Sequence, residues 1–418
     1  MTTCSAPGCP VNAAFDPLSP DHLDDPYAIL AALPLAEAPL FYAPSIGYHV
    51  VTRYADIVQV FDDPAAYSAA IAQAPLVPLS PEAQRILLDG GHQPQPSMVS
   101  LDEPAHARLR RPAARAFAVK RVNDLAPTIH RVTAELLDAV AAGGAEFDLI
   151  GALAFPLPAA IVFSLIGVPE TDVPQLKIWC GHRAALSWGR PRPADQIEIA
   201  TNMAAYRRYL RELVDHKRLA RSDDLTSDLL AIHDEAPERL TLAEIASILF
   251  SLSFAGHETT TGLIGNTVRR LLEAPERWDA IVRDPALIPA AIDESLRFDP
   301  SVPVWRRVTT RPVTLAGIEL PAGARLFLWL AAGNRDAAVF PEPERFDLHR
   351  PNADQHLAFG KGLHYCLGAH LGKVEARIVI DELARRFPHL RLVPGQRLSF
   401  HPNISFRGPQ QLYVRTAP

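Results

Sequence analysis

A mainly α-helical chain with a smaller β region at both ends is the fold class this sequence predicts. Three observations carry it. From Ala105 to Leu272 apolar residues recur at helical spacing with few interruptions. Strand-like text, rich in aromatic and β-branched residues, stands at Pro39 to Tyr42 and Tyr48 to Arg53, again near 303–320, and at Gln411-Leu412-Tyr413-Val414. No repeat, low-complexity run or linker divides the chain, so 15–418 reads as one two-lobed unit behind a flexible leader, 1–14.

The elements follow in order. After the two N-terminal strands, Tyr54 to Phe61 switches to helical spacing. Ser68 to Ser100 is irregular, with prolines and a Gly-Gly pair, and a long segment of that kind is usually functional or mobile. Helices are expected near 106–118, 125–142, 157–166, 172–188, 193–219 and 241–272, with Pro112 kinking the first of them. Two more, near 276–283 and 287–298, precede short strands around Gly317, and a last helix covers 367–387. Leu149 to Pro169 is uncharged and long enough on paper to cross a bilayer, but Pro156 and Pro158 favour two buried segments broken at the prolines.

Composition excludes several classes. A net charge of -6 is the wrong sign for a nucleic-acid binder. The leader has no apolar core and no basic start, so neither a signal peptide nor a membrane anchor is expected; the few scattered cysteines fit a reducing cytoplasm, and a monomer is expected. Four cysteines, Cys4, Cys9, Cys180 and Cys366, are too few and too scattered for a disulfide framework. Cys4 and Cys9 read as incidental thiols in a frayed terminus.

Cys366 stands apart because of its surroundings, Phe359-Gly360-Lys361-Gly362-Leu363-His364-Tyr365-Cys366-Leu367-Gly368. Glycines suit a tight loop where backbone approaches something closely. A cysteine entering a helix meets free N–H groups and a positive partial charge, which favour the thiolate. A buried structural cysteine is the other reading of the same residues.

A second constellation is Ala255-Gly256-His257-Glu258-Thr259-Thr260, inside the expected helix 241–272. Ala255, Gly256 and Thr259 share one helix face, and two minimal side chains there leave room for a flat ligand. Thr259 can turn its hydroxyl onto a carbonyl one turn back and loosen the helix. Glu258 points about 100° away, and an acid beside an alcohol is what stepwise proton delivery needs. A small-residue packing face is the alternative. Further on, Glu294-Ser295-Leu296-Arg297 is an i, i+3 acid–base pair, which alone means little. His106 and Arg110 are four apart on one face of their helix, and Arg108, Arg111 and Arg115 form a second, basic face.

Taken in order, these motifs resemble the cytochromes P450, and the resemblance extends from Asp25-Pro26-Tyr27 to Phe406-Arg407-Gly408-Pro409. Stretches such as Tyr48-His49-Val50-Val51-Thr52-Arg53-Tyr54 are similar to the haem domains of self-sufficient fused members. The resemblance implies the family's fold and an oxygen-activating monooxygenase that carries haem b and uses O2. It implies that Cys366 ligates iron within the loop Phe359, Gly360, His364 and Gly368. His106, Arg110, Arg307 and His364 would then meet the haem propionates, Ala255 and Gly256 would face the haem, and Glu258 with Thr259 would deliver protons. Glu294 and Arg297 would form a buried structural pair with a third basic residue, Arg345 by first choice and Arg350 by second. Electrons would come from a ferredoxin and its NAD(P)H-dependent reductase, docked in part on the basic face with Lys361 and Lys373. The distal pocket would draw on Ile71 to Met98, Trp179 to Trp188, Leu252 to Thr259, Ser301 to Trp305 and Asn403 to Phe406. Leu252, Ala255, Val302, Val304, Trp305 and Ile404 suggest an apolar cavity for a small to medium organic substrate, and no charged residue claims an anionic one. A peroxide-using enzyme and a haem carrier or sensor are the rival readings; intact Glu258 and Thr259 weigh against both.

Overall fold

The computed structural model describes residues 6–35, 37–90 and 97–416. The chain folds as two compact units, Met1–Tyr67 with Val119–Pro158 and Glu258–Pro418, and Ser68–Ala118 with Ala159–His257.

The first unit carries the β-sheet. Strand Leu40–Ala43 pairs antiparallel with Tyr48–Val51, which runs parallel to Arg325–Trp329, itself antiparallel to Val304–Thr309. All four residues of Tyr48–Val51 are buried, as a strand inside a covered sheet requires. Leu40, Val51, Ile57, Phe61, Leu326 and Leu328 join in the core beside it. A hairpin, Val313–Leu315 with Ile318–Leu320, turns on Ala316 and Gly317, both at positive φ (50° and 76°), the geometry that a two-residue turn of the strands' twist demands. Helices Ala126–Gly143, Glu258–Leu272, Ile288–Phe298 and Ala369–Arg386 pack together in the same unit.

The second unit is helical. Pro193–Leu219 is its spine, packed on Val173–Trp188, Leu242–Ala255 and Pro81–Asp89. Predicted helix ends agree with the observed ones to within two residues for most of the chain. Two differences are informative. The expected helix 241–272 is two helices, Leu242–Ala255 and Glu258–Leu272. The expected 106–118 helix spans Ala105–Ala114, with Pro112 inside it, and tightens to a 3-10 turn at Arg115–Phe117.

The leader departs from expectation. Tyr42 N–H donates to Pro10 O (2.7 Å) and Asn12 N–H to Tyr42 O (2.9 Å), so residues around Cys9 lie along the first strand rather than fraying. Cys9 is buried, and that burial pushes its thiol pKa up. Cys4 lies outside the described residues. Pro156 begins the helix Pro156–Ile166 rather than breaking one, after a π-helical turn at Ile150–Ala154. No helix among the described residues is long and apolar enough to cross a membrane.

One interior acid is exceptional. Glu375, on Ala369–Arg386, is 1% exposed, and neither carboxylate oxygen has a hydrogen-bond partner. Burial pushes its pKa from 4.5 up to about 8. Between those two values the unfolded chain has released this proton and the folded chain has kept it, so stability falls as pH rises. Wild type is expected to lose roughly 2–4 kcal/mol from pH 5 to 8 through this group. Glu375→Gln should flatten that slope, read as denaturant midpoints across the pH range; an unchanged slope would exclude Glu375 as its source.

Candidate active site

The sequence-predicted residues fall into two sets, one in each unit. In the first unit the cysteine loop is held from its ends. Cys366 N–H donates to Phe359 O (2.9 Å) and Gly360 N–H to Leu357 O (2.8 Å), while Leu357 N–H reaches Asn334 Oδ1 (2.7 Å). Gly360 and Gly362 sit at φ 66° and 65°. A side chain at Gly362 would stand 2.8 Å from the Phe61 carbonyl oxygen, so only glycine fits. A 3-10 turn, Gly362–His364, then leads past Cys366 to the helix at Ala369. Cys366 is exposed, which removes the structural-cysteine reading. Burial, and after it the charge of Cys366, raises the Tyr365 pKa.

Arg307 is 3% exposed on the strand Val304–Thr309, and its guanidinium carbon lies 5.4 Å from the Phe61 ring centroid. Phe61 is therefore the shared neighbour of Arg307 and of the glycines before Cys366. Val304 and Ile404 line one pocket with His22, Trp329 and Phe406. Val302 and Trp305 are half-buried, and Trp305 packs on the sheet's core cluster.

Glu294 and Arg297 are both wholly buried and joined twice, Nε to Oε2 at 2.7 Å and Nη2 to Oε1 at 2.8 Å. The third basic residue is Arg350, whose Nε meets both Glu294 oxygens (3.1 and 3.2 Å). The first choice, Arg345, is corrected: its side chain turns outward to Glu342, and only its backbone carbonyl enters the network, accepting from Arg297 and Arg350. Spacing could not separate the two arginines, because the loop doubles back between them.

In the second unit His106 is fully buried, with Nδ1–H directed at Glu103 (3.4 Å). Burial lowers its pKa, and the field of Arg110 adds to that, as neighbours on one face should. Arg108 is engaged by Glu244 and the Arg239 carbonyl, and in the first unit Lys373 is paired with Asp293 (2.5 Å), which compensates part of the expected basic face. Leu252 is buried and Ala255 exposed. A side chain at Gly256 would meet Val162 Cγ2 at 2.3 Å, so this glycine admits a neighbouring helix.

The break at Gly256–His257 has a local cause. His257 Nδ1 donates to Ser253 O (2.7 Å), the carbonyl a backbone N–H would otherwise take. Sequence reasoning gave that loosening to Thr259 and overlooked His257. Glu258 and Thr259 open the next helix, Glu258–Leu272, in the first unit, and both are half-buried. A carboxylate is favoured at that N-terminus by the helix dipole. This helix reaches the one behind Cys366, since a side chain at Gly372 would lie 3.4 Å from Thr260 Oγ1. On another face, Gly262 and Gly408 bring two backbones into contact, and Asn266 Nδ2 donates to the Asp299 and Arg407 carbonyls (3.1 Å each), which fixes the segment carrying Ile404.

Asp299 was not singled out in the sequence. It is 1% exposed, accepts from Tyr27 Oη (2.8 Å), Arg270 (2.9 Å), Arg407 (3.2 Å) and Arg269, and is held well below the usual carboxylate range by those arginines despite its burial. Arg407 in turn donates to the Leu23 and Asp24 carbonyls (2.7 and 3.0 Å).

The family model for Cytochrome P450 matches residues 197–406. A vitamin D(3) 25-hydroxylase from Pseudonocardia autotrophica is 37% identical over 373 residues, 88% of each chain. The chain belongs to the cytochrome P450 family. Among solved structures, cytochrome P450 CREJ in complex with (4-ethylphenyl) dihydrogen phosphate is 37% identical with a TM-score of 0.93, covering 96% of this chain and 99% of that one. An intact type IV self-sufficient cytochrome P450 monooxygenase is 35% identical with a TM-score of 0.92, covering 99% of this P450 and 54% of the fused chain. The P450 fold, mainly α with a smaller β part, and an oxygenase activity follow from membership.

The family implies haem, and the residues present fit it. A thiolate is the soft, anionic donor suited to iron, and Cys366 offers the sulfur for one, exposed at the end of a glycine loop. Haem carboxylates need cations, and Arg307 stands on the same phenylalanine as that loop.

Proposed function

We propose that this P450 inserts one oxygen atom from O2 into a small to medium, largely apolar organic substrate, by hydroxylation, with O-dealkylation or epoxidation open to the same chemistry. Cys366 would hold the iron of haem b, and His106, Arg110, Arg307 and His364 would pair with its carboxylates. Bound haem supplies the activation of dioxygen. The chain's own residues do the rest. Glu258, half-buried at a helix start, can take a proton from water and pass it to the Thr259 hydroxyl beside it. Leu252 and Val304, each buried in its own unit, would supply apolar surface for the substrate's carbon. Electrons would arrive from separate proteins, a ferredoxin and its NAD(P)H-dependent reductase, in a cytoplasmic setting.

The observation that carries this reading is the exposed Cys366 thiol on a glycine loop that shares Phe61 with the buried cation Arg307. The test is an absorption spectrum of reduced protein under carbon monoxide, where the red-shifted Soret band of thiolate ligation is expected. Turnover with ferredoxin, reductase and NAD(P)H, set against hydrogen peroxide alone, then decides the electron source. Thr259→Ala should keep that band yet raise hydrogen peroxide released per NAD(P)H about ten-fold, since protons no longer arrive in step. An unchanged ratio would remove Thr259 from proton delivery.

A further inference from the structure

A cluster in the helical unit carries charge that no carboxylate among the described residues pairs with. Arg183, on Val173–Trp188, is 2% exposed, and no carboxylate pairs with it among the described residues. Its Nη1 donates to the Phe250 carbonyl, and its guanidinium carbon lies 4.0 Å from the Phe250 centroid and 5.1 Å from that of Phe254. Arg207, on Pro193–Leu219, approaches the same Phe250 ring at 4.1 Å, and its buried Nε has no hydrogen-bond partner. Neutral polar groups stand nearby, Tyr206 Oη contacting Cys180 Sγ (3.3 Å) and Ser253 Oγ, and a third cation, Arg211, adds its field to Arg207.

This arrangement is costly as it stands. A buried cation without a carboxylate loses hydration that aromatic faces return only in part. Here a second cation stands on the same ring, and the repulsion of Arg183 helps lower the Arg207 pKa to about 10, behind burial, the main cause. Arg183 likewise falls to about 10 through burial, so both remain charged at neutral pH. Two guanidinium groups on one phenylalanine, with no carboxylate paired to either among the described residues, carry N–H donors that suit a planar or tetrahedral anion. Arg207 is only half-buried, so the pair runs from the interior of this unit toward its surface. Phe250 and Phe254 belong to the helix that ends at Ala255, a residue expected to face the haem.

We propose that Arg183 and Arg207 form an anion subsite that takes the carboxylate or phosphate-monoester head of an organic substrate. Its ligand is a substrate only if the oxygenase reading holds; anion binding itself does not depend on that reading. Calorimetry on the holoenzyme tests it with 4-butylbenzoate, 4-butylphenyl phosphate and the neutral 4-butylbenzamide. At least one anion is expected to bind about ten-fold or more tightly than the amide, and the stronger of the two identifies the head group. Arg207→Gln and Arg183→Gln are each expected to bring anion and amide within about two-fold of each other. Should Arg183→Gln fail to fold, the half-exposed Arg207→Gln decides. Equal binding of all three probes by wild type, or an anion preference that survives in every folded variant, overturns the subsite. The carbon monoxide spectrum of the same preparation separates the two claims. A normal thiolate band without anion preference rejects the subsite alone, while a missing band rejects the haem-thiolate reading and leaves the calorimetry standing.

Discussion

Cys366→Ala is expected to abolish the red-shifted band of the carbon monoxide complex and to reduce turnover to background. The thiolate is the only soft anionic donor in its loop, and neither alanine nor a neighbouring side chain can replace it. The fold should survive. Cys366 is exposed, and its N–H to Phe359 O bond uses backbone atoms that alanine retains. Thermal unfolding of the cofactor-free variant should therefore stay within about 0.5 kcal/mol of cofactor-free wild type. Persistence of the band in Cys366→Ala would transfer the ligand role elsewhere and undo the site.

The second large effect is structural. Glu294→Ala is expected to cost about 3–5 kcal/mol, because it strands two buried guanidinium groups, Arg297 and Arg350. Those two arginines also tie down the carbonyls of Asn334, Pro341, Glu342, Pro343 and Arg345, so the whole loop ahead of Cys366 loses its anchor. Arg350→Ala should fall in the same range. Arg345→Ala should cost no more than about 0.5 kcal/mol, since only its carbonyl serves the network and alanine keeps that. Urea unfolding of the three variants decides between them; a large loss at Arg345 would restore it as the third member.

These contrasts mark where the sequence was readable. Pro193–Leu219 was delimited by a proline at its start and a long periodic run, and both ends agree with the structure. Pro81–Asp89 was lost in a proline-rich stretch, although Ser80 caps it by accepting from Ala83 N–H and Pro81 opens it. Leu225–Glu235 was missed behind the charged text Arg221-Ser222-Asp223, where Asp224 was the cap to notice. Motif residues were legible because their chemistry needs particular neighbours in the chain. The roles of Arg350, Gly256, His257 and Asp299 were not, because each depends on what another segment brings to it. Arg183 shows the same limit most sharply: its oddity is the absence of an acid, which no local pattern reveals.

The hydrogen bonds at Asp299 have a consequence for how this chain folds. Tyr27 and Asp299 are 272 residues apart, and Arg407 meets the Leu23 carbonyl across 384. Closing loops of that length consumes chain entropy that only near-native packing can repay. The latch between Tyr27, Asp299 and Arg407 should accordingly form late, after the helices between its partners have docked. Newly made chains would pass through a state in which a buried-to-be aspartate and three arginines still face water, and completion of the C-terminal segment would be the event that ends it.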